Sequence, residues 1–453
     1  MSHPLVVMKF GGSSLANADR IRRVARRIAR ARAEGADLCV VVSAMGDTTD
    51  ELLSLAAAIT EEPEPRELDM LLATGEHQSA TLMSMALHAL GLPAISLTGA
   101  QAGIVTDGAY GRARIAGIDP VRIRAEMADG KVVIVAGFQG LSAKALELAE
   151  TTTLGRGGSD TTAVALAAAL RADRCQIYTD VKGIYTADPR LVPDARQLSV
   201  IGYEEMLELA HQGAQVMQVR AVELGWVNDV VIEVLSSFED APGTLIKEDP
   251  LVEQRNKVRG IAQDRNVAKV TLVEVPDRPG VAHAVFAPLA DGGISVDMIV
   301  QNVGHGGTTD MSFTVPRVEL AKAKRVLEPL VRDLGFREMT TDASIAKVSI
   351  VGAGLHNAPG YAARMFGTLS DAGVNIEMIS TSEVRITCTI AEHDLEAAVR
   401  ALHAAFELAT ADPVDGAAGT WAASTGATGA GAATTGAAGA VSATTEPGAA
   451  AGR

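Results

Sequence analysis

The sequence predicts an α/β fold in which a mostly parallel sheet is sandwiched by helices, followed by two small βαββαβ modules. Three observations carry this prediction. Over the first ~240 residues, short β-branched runs alternate with alanine-rich helical stretches, the pattern of a sheet covered on both faces. Further on, the stretch VTLVEVPDRPGVAHAVFAPLADGGISVDMI (270–299) returns as VSIVGAGLHNAPGYAARMFGTLSDAGVNIEMI (348–379), an internal repeat. The length of 453 residues accommodates two to four domains, and 47% apolar residues supply their cores.

The elements follow in order. LVVMKF (5–10), DLCVVVSA (37–44), AISL (94–97), KVVIVAGF (131–138) and CQIYTD (175–180) read as strands, and 19–35 as a helix with a strongly basic face. The polar, turn-rich stretch 242–257 marks a boundary, giving a catalytic-sized domain over 1–245 and a linker over 246–265. The repeat then places one module over 266–340 and a second over 341–410. Each copy reads strand, Pro-Gly turn, helix, strand, with Pro279-Gly280 matching Pro359-Gly360 and Asp297-Met298-Ile299 matching Glu377-Met378-Ile379. TDMSFTVP and VRITCTIA continue as strands, each followed by a helix, which completes two βαββαβ units expected to pack sheet to sheet. Residues 411–453 are Ala, Gly, Thr and Ser with almost no large apolar side chain except Trp421, and are expected to be a disordered tail.

Composition excludes several function classes. The formal net charge of −15 argues against non-specific binding to nucleic acid or to an anionic membrane. Aromatic residues make up only 3%, so the cores are aliphatic. Cys39, Cys175 and Cys388 form no CxxC spacing and read as small buried hydrophobes in a reducing compartment. The N-terminus lacks a signal-peptide pattern, and no apolar run reaches the roughly 18 residues of a membrane span, so a soluble cytoplasmic protein is expected.

Four motifs sit where ligands bind in such sheets, beyond the carboxyl ends of strands. They are KFGGSS (9–14), SAMGDTTD (43–50), TGE (74–76), read as opening a helix, and LGRGGSD (154–160), which precedes the apolar run AVALAAAL. Glycines let a ligand approach the backbone, and a helix N-terminus offers free N–H groups and a positive dipole end, which suits a phosphate or carboxylate. A plain turn before a core helix is the other reading of the last motif, as is a surface lysine for Lys9, a solvated turn arginine for Arg156 and dipole stabilisation for Glu76. There is no GxxxxGK[ST], no GxGxxG after the first strand, no HExxH and no His/Cys cluster, so no protein-held metal site is expected.

Five stretches, VMKFGGSSLA, VVVSAMGDTTDELL, SLTGAQAGIVTDGAYGRARI, TTTLGRGGSDTTAVALAAAL and YTDVKGIYTADPRLVPDARQL, resemble the aspartate kinases of the amino-acid kinase superfamily. VTLVEVPDRPGVA and VSIVGAGLHNAPG resemble their paired ACT regulatory domains, and the resemblance runs from about residue 4 to 408. It implies an amino-acid-kinase fold with two ferredoxin-like ACT domains. The implied reaction moves the ATP γ-phosphoryl group to the β-carboxylate of L-aspartate, the first step towards lysine, threonine and methionine, with ATP and Mg²⁺ as cofactors. A carboxylate nucleophile is ionised at neutral pH, so catalysis is positioning plus electrostatics and needs no general base.

The resemblance also implies roles. Lys9 stands over the phosphates with the N–H groups of Phe10, Gly11 and Gly12 as a cradle, and Arg156 clamps a substrate carboxylate. Glu76 partners the substrate ammonium, and Ser43, Thr49 and Ser159 line the aspartate site. Asp160 and Asp180 fall near Mg·ATP, with Thr179, Tyr185, Arg190, Gln215 and Val216 on the nucleotide side. Effector candidates are Asp277, Gly280, Val281, Gln301 and Asn302 in the first ACT copy, and Ala358, Gly360, Tyr361, Asn375, Ile376 and Thr381 in the second. Lysine, threonine or both are the expected effectors, acting on a homodimer or larger assembly joined through the ACT modules, with a shorter ACT-only subunit as a further expectation.

Lys182, Gln215, Leu235, the helix-like QGLSAKALELAE and Tyr361, where the family usually has valine, depart from the family pattern. A silent amino-acid sensor of the same fold, and a sister kinase acting on acetylglutamate, glutamate or UMP, are the competing readings.

Overall fold

A computed structural model describes residues 3–148, 150–214, 216–248, 257–302, 307–355 and 358–410. Gln215, part of the linker over 246–265 and the whole 411–453 tail therefore lie outside the described residues. The N-terminal domain is built on an eight-stranded sheet. Its order is Val200–Ile201, Thr244–Ile246, Ile232–Ser236, Arg174–Thr179, Leu5–Phe10, Asp37–Val42, Val132–Ala136 and Ala94–Leu97. Only the pair Ile232–Ser236 and Thr244–Ile246 runs antiparallel.

Alternation along the central strands explains the sandwich. Val7, Cys39, Val41, Val133, Cys175 and Ile177 point to one face and pack on the helix Gly158–Leu170. Met8, Phe10, Leu38, Val40, Val42 and Ile134 point to the other, under the helices Ala18–Ala33 and Pro65–His88. All twelve are essentially solvent-free, and burying each Val or Ile stabilises the fold by about 1.5–3 kcal/mol. All three cysteines are free and buried, as expected; burial pushes the Cys39 thiol up to about 12.

A second sheet of four short strands, Ile115–Ile118, Ile104–Thr106, Gln139–Ser142 and Thr151–Thr153, flanks the first. Within the helix-like 141–150 stretch, Ala143–Leu148 forms a short 3₁₀ helix between two antiparallel strands of this sheet. The hairpin thus survives its unusual sequence.

The C-terminal half holds two four-stranded sheets. The first module is a complete βαββαβ unit, with sheet order Ile299–Gln301, Thr308–Val315, Ala268–Pro276, Glu338–Asp342. The second corrects the expectation of two self-contained repeats. Its fourth strand is Gly260–Asp264, which precedes the first module in sequence and lies inside the predicted linker. That strand runs antiparallel to Ile345–Val351, pairing Gly260 with Val351 and Asp264 with Lys347. The segment after Leu395–Ala405 carries no strand among the described residues, so the edge beside Ile345–Val351 is filled from upstream.

The two modules meet through reciprocal ion pairs. Lys269 and Lys347 hold equivalent positions in the repeat, as do Asp297 and Glu377. Lys347 pairs with Asp297 across the modules (2.5 Å), and Lys269 pairs with Glu377. The second module also docks on the kinase domain. Glu205 accepts the Ala353 N–H (3.1 Å), Gln212 accepts the Ser349 hydroxyl (3.1 Å), and Thr186 shares a hydrogen bond with His403 Nε2 (3.0 Å). No helix among the described residues is long and apolar enough to cross a membrane.

A fragment starting at residue 257 keeps the upstream strand, whereas one starting at 266 loses it. The longer fragment is expected to melt in one cooperative transition as a soluble species. The shorter one is expected to self-associate through the bared edge of Ile345–Val351. Thermal melts and light scattering of both fragments check this.

Candidate active site

The first strand ends at Phe10, whose carbonyl accepts the Ser43 N–H (3.1 Å) and whose ring stacks on Tyr178 (4.6 Å between centroids). Three loops therefore leave the sheet side by side: 10–14, 43–47 and 179–185. Gly12 marks how tightly they close. A Cβ there would lie 2.9 Å from the carbonyl oxygens of both Ala44 and Gly46, closer than a side chain tolerates. The Ser14 and Ser237 hydroxyls, 2.5 Å apart and buried, tie the first loop to the end of the strand Ile232–Ser236.

At the glycine motif the chain turns into the helix Gly158–Leu170 through Gly157, which sits in the left-handed region at φ 71°. This aims Asp160, in the first helical turn, at Lys9. The two pair at 2.6 Å with side chains about one-tenth exposed. A buried pair of this kind is costly to break from one side. Ser159 is buried against Gly137, and Arg156 stands exposed on the loop with no hydrogen-bond or ion-pair partner among the described residues.

Glu76 corrects one sequence expectation. It does not open a helix; it lies in the middle of the 24-residue helix Pro65–His88. Gly75 explains the misreading. Glycine usually punctuates, but here it lets the helix pack against Ala44, where a Cβ would meet the Ala44 Cβ at 2.8 Å. Glu76 is 3% exposed, accepts the Ala44 N–H through Oε1 (3.0 Å) and leaves Oε2 without a partner among the described residues. Burial pushes its carboxyl up to about 7, against which the backbone N–H of Ala44 lowers it. An unpaired buried carboxylate oxygen is a site for a cation donor.

The remaining candidates are placed as follows. Gly11 spends its N–H on the Tyr178 carbonyl (3.4 Å), and the buried Phe10 ring belongs to the core, so the amides heading the short turn are those of Gly12 and Ser13. Thr49 lies in the first turn of the helix Thr48–Ile59, and Thr179 donates to Asp180 (3.1 Å) at the end of its strand. Tyr185 is half-buried and bridges to Gln197, Arg190 is tied to Asp188 (2.8 Å), and Val216 packs against the sheet core. Lys182 is exposed and paired with Glu239 (2.8 Å), while Leu235 packs into the sheet's second face. No group of three or more potential metal ligands occurs among the described residues.

The ACT candidates lie far along the chain, in two equivalent clusters. Gly280 and Gly360 cap the helices Val281–Asp291 and Tyr361–Asp371 in the left-handed conformation, φ 93° and 101°. The Asp277 N–H donates to the Gly307 carbonyl (2.9 Å) and the Asn302 carbonyl accepts the Thr309 hydroxyl, bringing 277–281 and 301–302 to one end of the first module. Gln301 and Thr381 end the exposed edge strands. Ala358 and Asn375 lie in the flanking loops, with Ile376 against the second module's core. Tyr361 stacks on Phe406 (6.1 Å), so its ring is held by the module's own core.

Sequence reasoning missed Asp69, Thr153 and Arg220, which fix the strand before the glycine motif. The signal was present for Asp69: it shares the buried face of its helix with Leu72, Ala73 and Glu76, at helical spacing.

The amino acid kinase family matches residues 4–230, and ACT domains match 269–332 and 348–406. An aspartokinase from Pseudomonas aeruginosa is 51% identical over 406 residues, covering 89% of this chain and 98% of the relative. An aspartokinase from Corynebacterium glutamicum is 50% identical over 421 residues, covering 92% of this chain and 99% of the relative. Among solved structures, E. coli aspartokinase III in complex with aspartate and ADP (R-state) is similar with a TM-score of 0.71 at 28% identity, covering 88% of this chain and 99% of that one. The same enzyme in complex with lysine and aspartate (T-state) gives 0.68 at 28% identity, with the same coverage.

Lys9→Met leaves Asp160 buried without its cation and is expected to lower stability by about 3–5 kcal/mol. Lys9→Met combined with Asp160→Asn is expected to recover most of that stability. Denaturant melts of both variants check the prediction.

Proposed function

The chain belongs to the aspartate kinase family, and we propose how its residues share the reaction. The activity is transfer of the ATP γ-phosphoryl group to the β-carboxylate of L-aspartate, giving 4-phospho-L-aspartate for amino-acid biosynthesis. Two anions must meet, so the site has to place positive charge between them and hold each rigidly.

Glu76 receives the substrate ammonium at its unpaired Oε2. Arg156, unengaged on its loop, clamps the substrate α-carboxylate, while Ser43, Thr49 and Ser159 line the pocket. Lys9 exchanges Asp160 for the phosphates when nucleotide arrives, with Gly11 and Gly12 giving the phosphates room. Asp160, released from Lys9, and Asp180 are the carboxylates that would hold Mg²⁺, and the ion would supply charge neutralisation for the phosphates. Thr179, Tyr185, Arg190, Gln215 and Val216 flank the nucleotide.

The observation that carries this reading is Glu76, a buried carboxylate with one oxygen left open among the described residues, held by the Ala44 loop against which Gly12, three residues after Lys9, is packed. No observation favours the silent amino-acid sensor.

Regulation follows from the docking contacts. Lysine, threonine or both bind at the helix-capping ends of the ACT modules. The second module touches the nucleotide-side segment directly, through His403 on Thr186 and through Arg400 on the Leu191 carbonyl (2.9 Å), so a shift of its last helix reaches the loop that carries Tyr185 and Arg190. The exposed edge strands Ile299–Gln301 and Met378–Thr381, with Ile299 and Ile379 outward, are suited to pairing with a second copy. We place the kinase domain over 1–245 and the modules over 266–340 and 341–410, the second completed by 260–264.

Aspartyl-phosphate formation, trapped as the hydroxamate with ATP, Mg²⁺ and aspartate, tests the reaction. Lysine plus threonine is expected to suppress it. Absence of activity in a folded preparation would overturn the reading.

Glu76 also fixes a pH dependence. Its folded value of about 7 lies above the ordinary 4.5, so between these values the folded chain keeps a proton that the unfolded chain has lost. Stability therefore falls as pH rises through that window, and the deficit is complete above it. Glu76→Gln is expected to stabilise the ligand-free protein at about pH 8 by on the order of 1–3 kcal/mol, with little gain near pH 5. The same change is expected to abolish aspartate binding at both pH values, as read by calorimetry.

A further inference from the structure

The strand that leads into the glycine motif is held by a group outside the substrate contacts already assigned. Asp69 sits in the helix Pro65–His88, 1% exposed, with no cation paired to it among the described residues. Its carboxylate is satisfied entirely by neutral donors. The Thr153 N–H reaches Oδ2 (2.8 Å), the Thr153 hydroxyl reaches Oδ1 (2.6 Å), and the Gly111 N–H lies 3.0 Å from both oxygens. A buried carboxylate without a counter-ion is expensive, and full hydrogen bonding is what makes it tolerable.

The donors come from two segments that Asp69 thereby ties together. Thr153 is three residues before Arg156, at the end of the strand Thr151–Thr153. Gly111 belongs to the loop that passes under the glycine motif: a Cβ on Gly155 would lie 3.1 Å from the Gly111 carbonyl. The other polar groups nearby are also engaged. The Thr153 carbonyl accepts the Ala113 N–H (2.9 Å), the Leu154 N–H donates to Phe138 (2.8 Å), and Arg220 donates to the Leu154 and Ala113 carbonyls (2.7 and 2.9 Å). Asp69 is the one charged acceptor in this set, and charge-assisted bonds are the strong ones.

Asp69 is also coupled to Glu76 by the helix itself. Seven residues separate them, two turns on one face, so a rigid rod of about 10 Å fixes the distance between the two anchors. At one end the helix presents Glu76 to the Ala44 loop; at the other it pins the strand that carries Arg156.

We propose that Asp69 is a positioning residue for aspartate: it sets the placement of Arg156 relative to Glu76 without touching substrate. The inference rests on the reading that Arg156 clamps a substrate carboxylate. Lys9, Thr179 and Asp180 of the nucleotide side lie on or just beyond two other strands, Leu5–Phe10 and Arg174–Thr179, which this anchor does not touch.

Asp69→Asn keeps the size of the side chain but turns an acceptor oxygen towards a donor role, facing the N–H and hydroxyl of Thr153 and the N–H of Gly111. In the full-length enzyme, KM for aspartate is expected to rise about tenfold while KM for ATP stays within about twofold. Thr153→Val removes only the hydroxyl donor and is expected to raise KM for aspartate about threefold, again sparing ATP. Arg156→Ala serves as the control for the underlying reading, with a larger rise in KM for aspartate.

The outcomes separate cleanly. If Arg156→Ala leaves KM for aspartate unchanged, the clamp reading fails and the positioning role falls with it. If Arg156→Ala raises KM for aspartate but neither Asp69→Asn nor Thr153→Val does, the clamp stands and the positioning role is wrong. Equal changes in both KM values, or a loss of kcat alone that follows the folded fraction in a thermal melt, also overturn it, because a merely structural residue acts that way. A rise confined to aspartate in Thr153→Val supports the proposal even if Asp69→Asn does not fold.

Discussion

The ion pair between Lys9 and Asp160 joins the two halves of the site, one on the first strand and one on the helix that follows the glycine motif. Each side chain is buried enough that neither ion is comfortable alone. The surrounding geometry serves this pairing. The left-handed turn at Gly157 aims Asp160, and the parallel ladder delivers Lys9 to the same carboxyl end as Ser43 and Thr179. A site organised around an internal pair can exchange it for a pair with phosphate at little cost in charge separation. That property suits a reaction whose main obstacle is repulsion between anions.

Around this centre the protein uses one long helix and one borrowed strand. The helix Pro65–His88 brings Glu76 into a buried position, where burial pushes its carboxyl up to about 7 and Oε2 has no partner among the described residues. The borrowed strand Gly260–Asp264, which precedes the first module in sequence, pairs with Ile345–Val351 of the second. Its Ile261 N–H donates to the Thr186 carbonyl (2.8 Å), and Thr186 also bonds His403. Burial pushes the His403 imidazole down, towards its neutral form. The second module is therefore packed directly on the kinase domain at Thr186 and Leu191, and the reciprocal pairs Lys347–Asp297 and Lys269–Glu377 join the two modules.

Much of this was legible in the sequence because it follows local periodicity. The strands at 5–10, 37–42 and 132–136 are apolar runs interrupted only by Lys9 and headed in one case by Asp37, and the repeat announced the modules through Pro279-Gly280 and Pro359-Gly360. What escaped depends on partners distant in sequence. GIAQD (260–264) carries little pattern of its own, and only the exposed edge of Ile345–Val351 makes it a strand. Gly75 reads as a breaker until Ala44 is seen pressed against it. Asp69 reads as a misplaced polar residue on an apolar face until Thr153 and Gly111 arrive to satisfy it. The chemistry of the residues was visible; the company they keep was not.

The most direct measurement is a crystal structure of the full chain with a non-hydrolysable ATP analogue and Mg²⁺, read at one distance. The Lys9 Nζ to Asp160 separation is 2.6 Å in this structure. The account predicts that it opens beyond contact, with the ammonium on a phosphate oxygen and the Asp160 carboxylate turned towards the metal. Nucleotide bound with the pair still closed would contradict it, and would reduce the lysine and aspartate to a structural brace.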